Sequence, residues 1–140
     1  MKTFINTHFG ESDDEVLKIL EEHQELWGSI EKSDLCHTFL YDVYDEQGTL
    51  LAFFGNSYWN NNGCIECVLS YVYVKEEHRQ KGIFNKIVKF TIEHNSTAKI
   101  ISIGASDGND LAFSIYNRKF RYGYHSEKDK GTWFLIKDRR

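Results

Sequence analysis

The run Cys64-Ile65-Glu66-Cys67-Val68-Leu69-Ser70-Tyr71-Val72-Tyr73-Val74 constrains the fold more than any other stretch of this chain. It is rich in β-branched and aromatic residues, contains neither glycine nor proline, and reads as one long β-strand. The turn Asn60-Asn61-Asn62-Gly63 leads into it, and a polar turn over residues 75–81 leads out to a helix that begins at Gly82. Such a strand needs neighbours to bury it, and a mixed sheet carrying helices is the simplest packing.

The remaining pattern supplies those neighbours. Residues 2–8 suit a first strand, and Ser12-Asp13-Asp14-Glu15 is a capping box that opens a helix closed by Gly28. Thr38–Tyr44 and Thr49–Tyr58 flank the hairpin turn Asp45-Glu46-Gln47-Gly48, so the centre reads as an antiparallel meander. Ile83, Phe84, Ile87, Val88, Phe90 and Ile92 recur at helical spacing up to about Asn95. Lys99–Ile103 is a short strand, Asp110–Arg118 a second amphipathic helix, and Phe120–His125 with Thr132–Ile136 a closing hairpin. The expected order is β-α-β-β-β-α-β-α-β-β.

The chain has 140 residues and no proline, so glycine and asparagine must make its turns. That length suits one domain spanning residues 1–140. With 41% hydrophobic and 15% aromatic residues it can bury a core, and no apolar run is long enough to cross a membrane. The N-terminus lacks the apolar core of a signal peptide, which predicts a cytoplasmic chain. Residues 1–70 carry three lysines and thirteen acids, whereas residues 71–140 carry fourteen basic and eight acidic residues. An acidic half and a basic half suit a protein that brings a cationic and an anionic ligand together. They do not suit a nucleic-acid binder.

Cys36, Cys64 and Cys67 are an odd number, which argues against a disulfide framework. Cys64 and Cys67 lie three apart on a strand and so face opposite ways, which argues against a shared metal ion. Buried thiols in a reducing compartment, and no metal, are expected.

The chemistry concentrates after the long strand. A strand that ends in a polar turn before a helix can aim consecutive N–H groups and the helix dipole at one point, an anion site. Gly82 lets an anion approach where a Cβ would block it, and Arg79 and Lys81 add positive charge. Arg79-Gln80-Lys81-Gly82-Ile83-Phe84 resembles the pyrophosphate motif of the GNAT superfamily of acyl-CoA-dependent N-acetyltransferases, commonly Arg/Gln-x-x-Gly-x-Gly/Ala. Phe84 stands where that family usually has a small residue. Further on, Asn109, Ala112, Tyr116 and Phe120 fall at the spacing of the family's Asn-x-x-Ala-x-x-x-Tyr signature, with Lys119 replacing its usual glycine.

The resemblance implies a single-domain α/β (α+β mixed) GNAT-like fold, a mostly antiparallel mixed sheet with helices on both faces. It implies transfer of an acetyl group from acetyl-CoA to a primary amine, with acetyl-CoA as co-substrate. Backbone groups of Val72, Tyr73 and Val74 would pair the pantetheine arm, Arg79, Gln80, Lys81, Gly82, Ile83, Phe84 and Asn85 would hold the pyrophosphate, and Asn109 would bind the pantetheine side. Tyr116 would protonate the departing thiolate. Glu66, placed on one face with Val68, Ser70 and Val72, is the candidate base, with a raised pKa expected among apolar neighbours. The family's other usual glutamate position, at the end of the strand after the long one, falls near Gly104, which has no side chain; His37, Asp42 and Asp107 are weaker candidates. Tyr41, Tyr58, Trp59, Tyr124 and Trp133 are candidate linings of the acceptor groove or core aromatics. A non-catalytic acyl-CoA-binding module of the same fold is the alternative, and a monomer or homodimer without nucleic-acid or membrane partners is expected.

Overall fold

The structure is a computed structural model that describes residues 2–7, 18, 21–22 and 38–139. The predicted first helix from Ser12 to Gly28 lies largely outside those residues, although Lys18, Glu21 and Glu22 are helical. Cys36, His37 and the connection over residues 28–35 also lie outside them.

Among the described residues one sheet of seven strands forms the frame. Its strands are β1 (Thr3–Thr7), β2 (Thr38–Asp45), β3 (Leu50–Asn61), β4 (Cys64–Val74), β5 (Ile100–Ser106), β6 (Arg121–Ser126) and β7 (Gly131–Asp138). Their spatial order is β1-β2-β3-β4-β5-β7-β6. Every pairing is antiparallel except β4 with β5. That parallel pair needs a crossover, supplied by helix α1 (Ile83–His94), while α2 (Asp110–Lys119) connects β5 to β6. No helix among the described residues is long and apolar enough to cross a membrane.

Helix α1 buries Ile83, Ile87 and Thr91, a single stripe at four-residue spacing. Tyr116 is the buried residue of α2. Ile83, Ile87 and Tyr116 join Val43, Leu51, Phe54, Leu69, Ile103 and Phe134 in one apolar cluster. Burying each large side chain there contributes about 1.5–3 kcal/mol relative to leaving it in water. Both described helices therefore cover the same face of the sheet, and alternate strand positions such as Ser70 and Trp133 point to the other.

A buried polar knot fixes how α1 lies. Asn95, which caps its C-terminus, donates from Nδ2 to Asn56 Oδ1 at 3.0 Å and to the Thr91 carbonyl at 2.8 Å. Asn56 donates in turn to Thr91 Oγ1 at 3.3 Å, and the Tyr58 hydroxyl donates to Asn95 Oδ1. Losing one partner would strand the others without water, at about 1–3 kcal/mol. The knot ties the far end of α1 to β3 and so aims its N-terminus past the end of β4.

Candidate functional site

The parallel ladder between β4 and β5 runs from Glu66↔Ile100 to Leu69↔Ile103 and stops. Both strands continue, β4 to Val74 along β3 and β5 to Ser106 along β7. Beginning at Ser70 and Gly104 they no longer pair with each other, so the sheet opens into a cleft. An extended ligand carrying amides fits along an edge of this kind.

A bulge shapes the same segment. Gly55 pairs with Ser70 and Phe53 with Tyr73, so Tyr71 and Val72 together oppose Phe54. Tyr71 takes φ +51°, a left-handed conformation uncommon outside glycine. Such strain, of order 1–3 kcal/mol, concentrates where backbone must be re-aimed. The bulge also corrects the expected face of Val72. Glu66, Val68 and Ser70 share a face, but the extra residue turns Val72 and Val74 onto the helix-side core. Tyr73 faces away, its ring 5.5 Å from that of Phe53.

Beyond Val74 the chain makes a short 3-10 turn at Glu76–His78 and then two left-handed steps, Gln80 at φ +63° and Gly82 at φ +78°. The first backbone bond of α1 is Lys86 N–H to the Gly82 carbonyl at 3.2 Å. The amides of Ile83, Phe84 and Asn85 precede it and are left to a ligand or to solvent. Together the left-handed steps and the helix terminus form an exposed turn of the kind that suits an anion. A Cβ built on Gly82 would meet nothing within 4 Å. Within the protein, then, the glycine is needed for its backbone conformation rather than for clearance.

The cations around this turn are placed unequally. Arg79 donates from Nε to the Val74 carbonyl at 2.9 Å and lies 5.9 Å from the Tyr73 ring centre, so it braces the end of β4. Lys81 Nζ lies 3.4 Å from His78 Nδ1. A third cation enters from α2, as Lys119 donates to Asn85 Oδ1 at 3.0 Å, against the first turn of α1. In the sequence Lys119 stands only as a departure from a motif, because its neighbour is 34 residues away.

Helix α2 brings up the remaining pair. Asn109 caps it, accepting from the Ala112 amide at 3.2 Å, which leaves the Asn109 Nδ2 group as a donor beyond the end of β5. Tyr116 lies two turns further along, 9% exposed, with its ring stacked on Phe84 at 5.7 Å. Burial pushes its phenol up to about 12, which holds it protonated.

No protein-family profile and no curated protein matches the sequence. Solved structures do match the fold. A GNAT family acetyltransferase from Elizabethkingia anophelis, with acetyl-CoA bound, aligns at TM-score 0.72 and 16% identity over 96% of this chain and 97% of its own. Arabidopsis thaliana NAA60, in complex with a bisubstrate analogue, aligns at TM-score 0.70 and 11% identity over 96% and 97%. Spermidine N-acetyltransferase from Vibrio cholerae, in complex with CoA and spermine, aligns at TM-score 0.67 and 13% identity over 95% of each chain. The chain has the GNAT acetyltransferase fold.

On this GNAT fold the face without the described helices carries the other candidates. Glu66 stands at the paired end of β4, opposite Trp59 on β3. Trp133 on β7 pairs with Gly104 and stacks on Tyr124 of β6, with ring centres 5.5 Å apart and planes at 9°. A Cβ at Gly104 would lie 3.0 Å from Trp133 Nε1, and one at Gly131 would lie 3.0 Å from the far edge of the same indole. The indole thus lies flat across two glycines and fills the space a side chain at position 104 would need.

Of the three weaker candidates, two lie among the described residues. Asp42 is buried on β2, accepting from the Tyr44 hydroxyl at 3.1 Å, with β3 between it and β4. Asp107 pairs with His125 Nε2 at 3.1 Å, which ties the end of β5 to β6. His37 lies outside the described residues. Tyr41 and Tyr58 lie on the helix face as core aromatics: Tyr41 packs on Phe54 and Phe90, and Tyr58 belongs to the Asn95 knot.

Proposed function

We propose that the chain is an acetyl-CoA-dependent N-acetyltransferase acting on a primary amine. The observation that carries this reading is the cleft opening at Ser70 and Gly104, with the bulged strand edge on one wall and the left-handed turn at its end. A pantetheine arm laid along β4 would pair with Val72, Tyr73 and Val74 in place of the missing strand. The pyrophosphate would rest on the amides of Gln80, Lys81, Gly82, Ile83, Phe84 and Asn85, with Arg79 bracing the turn. Asn109 Nδ2 would reach the arm from the β5 side.

In this proposal the neutral amine attacks the thioester carbonyl directly, and a backbone N–H of the bulged segment stabilises the oxyanion. A C–N bond forms and the C–S bond breaks. The amine proton leaves toward Glu66, through water, and Tyr116 gives its proton to the departing thiolate. The products are an N-acetyl amine and coenzyme A. The proposal covers a single domain spanning residues 1–140, monomeric or homodimeric, in the cytoplasm.

The test is acetyl-CoA-dependent thiol release across an amine panel, together with thermal stabilisation by acetyl-CoA. Stabilisation with amine-dependent thiol release is expected. Stabilisation without release would replace the enzyme with an acyl-CoA-binding module. No stabilisation would end both readings.

A further inference from the structure

The sheet face without the described helices carries an aromatic pair that the donor does not need. Tyr124 is 56% exposed and stacks on Trp133, whose indole is held flat on β5 by the absence of side chains at Gly104 and Gly131. Trp133 sits opposite Gly104, the first residue of β5 beyond the ladder, so the pair lies beside the mouth of the cleft. It is on the sheet face opposite Phe134, which packs against Phe113 and Tyr116 of α2. Two carboxylates border it. Asp129 is fixed in the β6–β7 turn, where its Oδ2 accepts from the Ser126 hydroxyl at 3.2 Å. Burial, and then the negative charges of Glu66 and Asp129, raise the Tyr124 phenol.

Aromatic faces attract ammonium groups through the ring quadrupole, and nearby carboxylates add to that attraction. The acidic surroundings disfavour an anionic acceptor, and the flat pair offers an apolar monoamine nothing that the charges reward. We propose that the acceptor carries a second cationic centre, which docks on the Tyr124–Trp133 pair beside Asp129 while its reacting amine enters the cleft. The acceptor class is a diamine or polyamine. This inference rests on the acetyltransferase reading for the role of the cleft, but the docking pair itself needs no donor.

The experiment is calorimetric titration of the full chain, with and without coenzyme A, using diaminopentane, pentylamine and phenylethylamine. No turnover is involved. Diaminopentane should bind at least about tenfold more tightly than pentylamine, the scale of a cation–π contact strengthened by carboxylates. Tyr124→Leu and Asp129→Asn should each weaken the diamine by about three- to tenfold and leave pentylamine unchanged, while Tyr124→Phe should keep the affinity. Equal binding of diamine and pentylamine, or tighter binding of phenylethylamine, would overturn the proposal. Failure of coenzyme A to bind would end the acetyltransferase reading alone, since the diamine titration without it still decides the docking site.

Discussion

The rings of Phe84 and Tyr116 stack with centres 5.7 Å apart and planes at 18°. Lys119 Nζ lies 5.9 Å from the Phe84 ring centre while it donates to Asn85. Phe84 and Lys119 are the two positions where the chain departs from the family's usual small residues. The structure shows that they touch, so they form one feature rather than two defects. The large ring in the first turn of α1 packs onto the candidate acid of α2, and the long cation closes over it. The helix that presents amides to an anion is thereby mechanically tied to the residue proposed to protonate the thiolate.

Tyr116→Phe tests the acid without disturbing this packing. The ring remains, so the stack on Phe84 and the core around Phe134 should persist and urea stability should hold within about 0.5 kcal/mol. Turnover should fall by about two to four orders of magnitude, the usual worth of a positioned acid, with acetyl-CoA affinity unchanged. Unchanged turnover in a steady-state assay would leave Tyr116 as a core aromatic only.

Lys119→Met keeps the apolar stem against Phe84 and removes the charge. If Lys119 contributes to a phosphate site, the Kd for acetyl-CoA should rise about fivefold, an exposed charge–charge contact of about 1 kcal/mol. The affinity should also become less sensitive to salt. Fold stability should barely move. Titrations at two ionic strengths check both effects, and equal salt dependence in the two proteins would remove Lys119 from the site.

Gly82 separates conformation from clearance. A methyl group there meets no protein atom, yet φ is +78°. Gly82→Ala should therefore cost about 1–2 kcal/mol in urea unfolding, the penalty of a left-handed non-glycine residue. Gly82→Asn should cost less, because asparagine tolerates that region. An equal loss in both variants would point to a steric role instead.

Much of this fold was legible because its elements are strongly patterned. The β4 run and the helix marked by Ile83 and Ile87 fall where the sequence places them, although Thr91 is buried and Ile92 is exposed. The turn before α1 was legible from Gly82, and α2 begins at Asp110 as its pattern implies. The bulge was not, because nothing about Tyr71 marks it as left-handed. That single inserted residue is why Val72 faces the core rather than sharing a face with Glu66. Contacts between distant positions were equally hidden, including Lys119 with Asn85 and the indole of Trp133 over Gly104. Each depends on register between strands or on the approach of two helices, which local spacing does not encode.

Buried ionisable groups make the fold sensitive to alkali. Burial pushes the Cys67 thiol from its ordinary 9.0 up to about 12, and the Tyr58 and Tyr116 phenols from 10.0 up to about 12. In each case the folded state holds a proton that the unfolded chain releases at lower pH. The linked stability is fully present below pH 9 and falls as pH rises from about 9 toward 12, first through Cys67 and then through the tyrosines. Cys67→Ala should lower stability at neutral pH by about 1 kcal/mol for the lost packing. It should also delay the alkaline decline until the tyrosines begin to ionise in the unfolded chain, near pH 10. Urea unfolding measured at successive pH values checks the order. A decline that begins at the same pH in both proteins would show that the thiol does not carry its first part.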